Sequence, residues 1–224
     1  MVIHIETAVH QVIRVLYPWL RIQEHKWVDL ISTLGKYKPK LHHHIVKWEL
    51  PMTGSLKCNT DGATKGNPGP SFYGFCIRDH KGDLCYAQAG VLGQTNNVQA
   101  EARAILEALR YWVTTVDAEK VLETDSLTMI NFIKGVWRVP WEISEIVEEI
   151  KTMIFKQGVK IQHIFREGNQ LADFLANHAA EIDRKVEYQS FKELPSTGRK
   201  IINTDKQQIP TLRIRTRKIN HHQA

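Results

Sequence analysis

Residues 60–70 decide the fold of this chain, and they read TDGATKGNPGP. The residues just before them, LKCNTD at 56–61, alternate apolar or small side chains with polar ones, which is the period-two pattern of a β-strand. The glycines and prolines that follow predict a tight turn that other backbone or a ligand can approach closely. The pattern therefore places Asp61 at the end of a strand, either in a site or as the exposed acid of an ordinary turn.

The other elements follow outward from this strand. Apolar patterning predicts strands at 72–78 and 84–91, joined by the hairpin turn DHKGD. Helical spacing then predicts a long helix that Asn97 caps. The remaining predictions are a strand at 121–124, helices near 126–134 and 141–155, a strand at 159–165, and a last helix that Asn169 caps and that ends near Ile182.

This order, β-β-β-α-β-α-α-β-α, is typical of the α/β class. Three antiparallel strands come first, and two further strands are reached through helical crossovers, which favour parallel pairing. We therefore expect a five-stranded mixed sheet, with three antiparallel strands and then two parallel ones, flanked by helices.

Four acidic residues stand where such a fold gathers side chains: Asp61, Glu101, Asp125 and Asp173. Glu101 comes four residues before Ile105, so it projects from the inward stripe of its helix. Asp125 follows a strand, where α/β sheets usually place their sites, and Asp173 lies in the first turn of the last helix. Each acid also has a structural explanation, since Asp125 suits a helix cap and the helix dipole favours acids near an N-terminus.

With these residues in view, the chain resembles the ribonuclease H family, whose first strand ends in a similar TDG…GNPGP pattern. The resemblance covers roughly residues 53–183 and is closest to the plant retroelement-derived version of the domain. It is carried by three further phrases: Asp61-Gly62-Ala63, Ala100-Glu101-Ala102 and Arg166-Glu167-Gly168-Asn169. The resemblance implies a ribonuclease H-like fold in which the four acids form one catalytic set.

The same resemblance implies a function. It is that of a metal-dependent endonuclease that hydrolyses the RNA strand of RNA–DNA hybrids with two Mg²⁺ ions, or Mn²⁺, and no small-molecule cofactor. Asp61 would bridge both ions, Asp173 would help hold the ion that activates water, and Glu101 and Asp125 would hold the other. The residues expected to contact the nucleic acid are Gly66, Asn67, Gly69, Asn96, Asn97, Arg166 and Asn169.

Two departures from the family keep an alternative open. Bacterial-type relatives carry a His on the loop before the last helix and a basic protrusion that contains Trp. Here the loop is the short Arg166-Glu167-Gly168-Asn169, and His163 falls within the preceding predicted strand. The alternative is a catalytically slow or inactive ribonuclease H-fold module of retroelement origin that binds nucleic acid without turnover.

Charge divides the chain into three predicted regions. Residues 1–52, an N-terminal extension or remnant of an upstream region with predicted helices near 5–16 and 23–34, carry 7 Lys/Arg against 4 Asp/Glu. Residues 53–183 form the ribonuclease H-like domain, with 13 against 17. Residues 184–224 form a basic tail, with 10 against 3, which indicates either a polyanionic partner such as nucleic acid or a solvated end.

The sequence excludes a membrane partner. No apolar run approaches the ~18 residues that a spanning helix needs, and Met1 is not followed by a signal-peptide pattern. We therefore expect an intracellular protein, cytoplasmic or nuclear. The three cysteines are odd in number and form no CxxC pair, which is typical of small buried side chains in a reducing compartment. The oligomeric state is not determined by the sequence.

Overall fold

Six strands form the main sheet of the computed structural model, which describes residues 2–16, 28–29, 31–32, 41–112 and 118–216. The strands of this sheet are β2 (Ser55–Thr64), β3 (Gly69–Arg78), β4 (Leu84–Thr95), β5 (Glu119–Thr124), β6 (Lys160–His163) and β7 (Val186–Tyr188). Their order is β6-β5-β2-β3-β4-β7. Strand β1 (Leu41–Val46) pairs with β8 (Thr211–Thr216) in a separate two-stranded sheet.

The sheet is mixed, as predicted. Strands β2, β3 and β4 are antiparallel neighbours, and β5 and β6 run parallel to β2. The short strand β7 adds antiparallel to β4, so the five predicted strands are joined by a sixth. The sequence interpretation missed β7 because three residues are too few to show a period.

Helices cover both faces of the sheet. Within the described residues, the α-helices with defined bounds are α1 (Val2–Leu16), α2 (Asn97–Trp112), α3 (Leu127–Ile133), α4 (Ser144–Gln157), α5 (Gln170–Ile182) and α6 (Ser196–Lys206). Helices α2, α3 and α4 contribute to one apolar core with Phe75 and Ile77, and α5 and α6 contribute to the other with Phe72 and Cys76. Helix α5 approaches β3 so closely that a Cβ on Gly74 would lie 2.4 Å from the backbone nitrogen of Ala176. The approach therefore requires glycine at this position.

The predicted order of elements is confirmed over residues 55–182, although β2 continues through Asp61 to Thr64 instead of ending at Asp61. Other details also differ. Helix α2 is capped by Asn96 and not by Asn97, since Asn96 Oδ1 accepts the N–H of Gln99 at 2.9 Å. Of the three cysteines, Cys58 and Cys76 are buried as expected, whereas Cys85 is exposed.

Residues beyond 183 do not behave as a simple tail. Ile45–Leu212 form one compact unit, which contains β7 and α6. Arg78 Nη1 donates to Asp205 Oδ2 of α6 at 2.6 Å, and Arg78 is 1% exposed. The charge pattern did not predict this packing, because most of the segment is polar. The packing depends on a buried arginine that is far away in the sequence.

The second unit comprises Met1–His44 and Arg213–Ala224. Within it, α1 covers the first helix predicted near residues 5–16, and most of the helix predicted at 23–34 lies outside the described residues. Among the described residues, no helix combines the length and the apolar character that crossing a membrane requires.

Candidate active site

Three of the four predicted acids meet beside the carboxyl end of β5. Ligand oxygens of Asp61, Glu101 and Asp125 all lie within 4.8 Å of one another. Strand register explains the meeting of two of them, because Thr60 of β2 is the parallel partner of Thr124 of β5. Asp61 and Asp125 are the next residues along these two strands, so the sheet itself brings them together.

Glu101 joins this pair from α2, and Gly62 makes its approach possible. A Cβ on Gly62 would lie 2.4 Å from the backbone carbon of Ala100, so any side chain there would push the first turn of α2 away. The backbone N–H of Gly62 donates to the Glu101 carboxylate. The other oxygen of that carboxylate, Oε2, is buried without a hydrogen-bond partner.

The crowding of these carboxylates changes their acidity. Burial first, and then the negative charges of Asp125 and Asp173, raise the pKa of Asp61 to about 8. Burial and the charge of Asp61 raise the pKa of Glu101 well above its usual range, and burial raises the pKa of Asp125. A buried anion that lacks a partner is costly, so the cluster is stabilised by a proton or by a cation.

The three residues fit a divalent cation on chemical grounds. They offer only carboxylate oxygens, which are the ligands that Mg²⁺ and similar hard cations prefer. Glu101 Oε2 is an acceptor left without a donor in the interior, and a bound cation would satisfy it.

Asp173 lies near this cluster but outside the group of three. Its Oδ1 accepts a hydrogen bond of 2.6 Å from Arg166 Nη2. Its charge raises the pKa of both Asp61 and Asp125, so it belongs to the same electrostatic environment. The structure therefore brings all four predicted acids into one region and pairs the fourth with an arginine.

The structural explanation for Asp125 is wrong, because the next residue caps the helix. Ser126 is the N-cap of α3, and its side chain accepts from the N–H of Met129 at 3.4 Å. Asp125 is left free to face Asp61 and Glu101.

Asn169 occupies a different place from the one predicted. It is 1% exposed, and its side chain makes no capping hydrogen bond to α5. Its Nδ2 donates instead to the carbonyl oxygen of Thr60 at 3.0 Å and lies 3.5 Å from Asp125 Oδ1. Asn169 thus ties the β2 backbone to Asp125 from inside the protein, and its burial argues against direct contact with nucleic acid.

Apart from Arg166, the other residues expected to contact nucleic acid lie around the connection between β2 and β3 and at the start of α2. Gly66, Asn67 and Asn97 are exposed, and the N–H of Asn97 donates to Asn67 Oδ1 at 3.1 Å. Gly69 is buried, and a Cβ there would lie 2.1 Å from the carbonyl oxygen of Lys65, so this glycine shapes the loop. Asn96 is partly buried as the cap of α2. Their contact with nucleic acid stays a prediction.

A buried polar layer beneath the site was not foreseen from the sequence. Lys57 Nζ lies 3.0 Å from a Glu123 carboxylate oxygen, and Asn59 Nδ2 donates to the same carboxylate at 3.0 Å. Trp48 Nε1 donates to Asn59 Oδ1 at 2.8 Å. Lys57 and Asn59 precede Asp61 on β2, and Glu123 precedes Asp125 on β5, at two-residue steps. The polar side of the strand alternation was therefore the signal in the sequence, although this side is buried in the protein.

His163 lies at the end of a strand that neighbours the site. It is the last residue of β6 and the parallel partner of Thr124, the residue before Asp125. Its ring packs edge-on against Phe165, with 5.5 Å between ring centroids. The sequence interpretation placed His163 in the strand, which is correct, and the strand ends at the same edge of the sheet as Asp125.

An α/β sheet with an acidic cluster formed by β2, α2 and the residue after β5 defines the class of the domain. Residues 59–179, more than half of the chain, match the reverse transcriptase-like family model. A ribonuclease H of Pseudomonas savastanoi pv. phaseolicola is 32% identical over 148 residues, which cover 60% of this chain and 99% of that protein. The chain belongs to the ribonuclease H family, and the matched residues form its ribonuclease H-like domain.

Two further comparisons extend this result. An Arabidopsis thaliana protein named "Putative ribonuclease H protein" is 30% identical over 174 residues, which cover 77% of this chain but only 27% of that protein. The crystal structure of LC11-RNase H1 in complex with an RNA/DNA hybrid has a TM-score of 0.54 and 29% identity, and it covers 58% of this chain and 99% of that one. The predicted α/β fold is confirmed, and the retroelement origin stays a prediction.

Proposed function

We propose that this protein is a metal-dependent endonuclease that hydrolyses the RNA strand of RNA–DNA hybrids. The observation that supports the proposal most strongly is the convergence of Asp61, Glu101 and Asp125, whose ligand oxygens lie within 4.8 Å of one another. The name of the ribonuclease H relative and the hybrid bound in the LC11-RNase H1 crystal structure point to the same substrate.

In this proposal, residues of the site either hold the cations or position the residues that hold them. Asp61, Glu101 and Asp125 would hold divalent cations, with Asp173 as a further ligand once Arg166 releases it. Bound cations of this kind generate a nucleophile from water and neutralise charge that develops on phosphate oxygens. Asn169 fixes the backbone of Thr60 and the Asp125 carboxylate, so it positions two ligands. The two-ion mechanism and the choice of Mg²⁺ or Mn²⁺ are part of the proposal.

Exposed polar and aromatic residues of the domain suit the substrate. Asn67, between β2 and β3, and Asn97, the first residue of α2, are exposed neighbours, and their side-chain amides can contact 2′-hydroxyls across the shallow minor groove of a hybrid. On the connection between α3 and α4, Trp137 and Trp141 are 50% and 82% exposed, and Arg138 lies between them. Exposed aromatic rings next to a basic side chain are suited to bases and phosphates.

A matched pair of neighbouring variants tests the proposal. Asp125→Asn should abolish Mg²⁺-dependent cleavage of a labelled hybrid and the rise in melting temperature that Mg²⁺ causes, because a cation ligand is lost. The metal-free protein should remain as stable as wild type or become more stable, since a repulsive charge is removed. Ser126→Ala should show the reverse, with cleavage retained and about 1 kcal/mol of stability lost with the cap.

The same assay decides the alternative of a slow or inactive nucleic-acid-binding module. Wild-type protein that binds the hybrid but gives no product in a single turnover with Mg²⁺ would establish the binding module. Cleavage by Asp125→Asn at a rate near that of wild type would refute the assignment of the acidic cluster as the active site.

A further inference from the structure

Arg166 holds the fourth acid of the site in a salt bridge. Its Nη2 lies 2.6 Å from Asp173 Oδ1, a short charge-assisted hydrogen bond. Arg166 opens a single 3-10 turn at Arg166–Gly168, and Asp173 lies in the first turn of α5. The Arg166 side chain is 70% exposed, so water can replace its partner at small cost.

The charge of Arg166 also reaches the other three acids. It acts against the rise in the pKa of Asp61, Glu101 and Asp125 that burial and mutual repulsion cause. The guanidinium therefore offsets part of the negative charge that a divalent cation would otherwise neutralise alone.

We propose that Arg166 is an internal competitor of the divalent cation, because its guanidinium is bonded to Asp173 Oδ1 and must leave before an ion can take that oxygen. The inference rests on the proposed function in one respect, namely that Asp173 is a metal ligand. Arg166 is then a positioning residue that weakens ion binding before substrate arrives. Once released, its planar fork is suited to a phosphate group of the nucleic acid.

Mn²⁺ binding to the full chain without nucleic acid measures this competition directly. Free Mn²⁺ is counted by electron paramagnetic resonance during titration of wild type, Arg166→Met, Asp173→Asn and the double variant. Arg166→Met should bind the more weakly held Mn²⁺ ion about three- to tenfold more tightly than wild type does. The substitution removes both a nearby positive charge and the group that competes for Asp173. In the Asp173→Asn background the same change should have a much smaller effect, because there is no ligand left to compete for.

Arg110→Met is the matched control. Arg110 is also an exposed arginine in a salt bridge, with Glu149, but it lies nine residues after Glu101 on α2, about 13 Å along the helix. Its substitution should leave Mn²⁺ affinity unchanged. If Arg166→Met proves unfolded, Arg166→Gln gives the same measurement with a smaller change in polarity.

Two results would overturn the inference. Equal or weaker Mn²⁺ binding by Arg166→Met would show that Arg166 does not compete, and equal tightening in the Asp173→Asn background would assign the effect to charge alone. Suppose that the wild-type protein binds Mn²⁺ and cleaves the hybrid, but Arg166→Met shows no gain in Mn²⁺ affinity. This result would refute the inference and leave the proposed function intact. Absence of Mn²⁺ binding in wild type and Arg166→Met alike would refute both.

Discussion

At the scale of single residues, the residues that cap helices and the residues that face the acidic cluster differ from those that the sequence suggested. Ser126 caps α3 and leaves Asp125 for the acidic cluster. Asn169 precedes α5 but turns its side chain inward to Thr60 and Asp125 instead of capping the helix. Residue types that favour caps are short and polar, and the same properties let them hold neighbouring carboxylates.

His163 supports a kinetic prediction at this scale. Because β6 ends at His163, at the same carboxyl edge of the sheet as Asp125, we expect His163→Ala to lower the steady-state rate of hybrid cleavage by about tenfold or more. The single-turnover rate should fall less, since the acidic residues that hold the metal remain. Measuring both rates separates chemistry from product release.

The control for this prediction is His80→Ala, in the turn between β3 and β4. It should change neither rate. If His163→Ala leaves steady-state turnover unchanged, the prediction is wrong. The interpretation from the sequence would then hold, in which the protein lacks an assisting histidine and turns over slowly for that reason.

At the scale of elements, α6 belongs to the same compact unit as the acidic site, and a buried ion pair holds it there. Arg78 of β3 stacks on Trp48 with 3.4 Å from its guanidinium carbon to the ring centroid, and it donates to Asp205 of α6. Gln208, just after α6, donates to the carbonyl oxygen of Trp48 at 2.9 Å. The segments on either side of the predicted domain therefore meet on the same arginine.

This arrangement predicts a large difference between two aspartates. Asp205→Ala should lower the free energy of unfolding by about 3 to 5 kcal/mol, because Arg78 would remain buried without its partner. Asp83→Ala, which removes an exposed salt bridge to Lys206 of the same helix, should cost about 0 to 1 kcal/mol. Urea unfolding of the two variants beside wild type checks both values, and equal losses would show that α6 is not held by the buried pair.

At the scale of the whole molecule, the acidic site makes stability depend on pH. The pKa of Asp61 is raised to about 8 in the folded protein from an ordinary value near 3.8, so the folded state binds the proton more tightly. The stabilisation is complete below the ordinary pKa and is lost as pH rises through about 8. The raised pKa of Glu101 and of Asp125 acts in the same direction.

In a chelator, the free energy of unfolding should therefore fall between about pH 5 and pH 8, with each group contributing at most about 1.4 kcal/mol per pH unit. Mg²⁺ should stabilise the protein more at pH 8 than at pH 6, because ligands must lose their protons before they bind it. Urea unfolding across this range tests the prediction with Asp61→Asn as the control. Parallel pH profiles for the two proteins would contradict it.

The amino-acid sequence by itself determined the order of elements over residues 55–182 and the identity of the four acids. It did so because period-two strands, helical spacing and the TDGATKGNPGP turn are local signals, readable without knowing what packs against them. The ribonuclease H family was visible for the same reason, in short runs of residues on either side of each acid.

Only the tertiary structure decided what depends on distant partners. The register of Thr60 with Thr124 sets Asp61 beside Asp125, and Gly62 admits α2 so that Glu101 can join them. Asp205 packs with these strands because the buried Arg78, 127 residues away in the chain, donates a hydrogen bond to its carboxylate. Such contacts join residues far apart in the chain, and their energies depend on burial and geometry that no local pattern records.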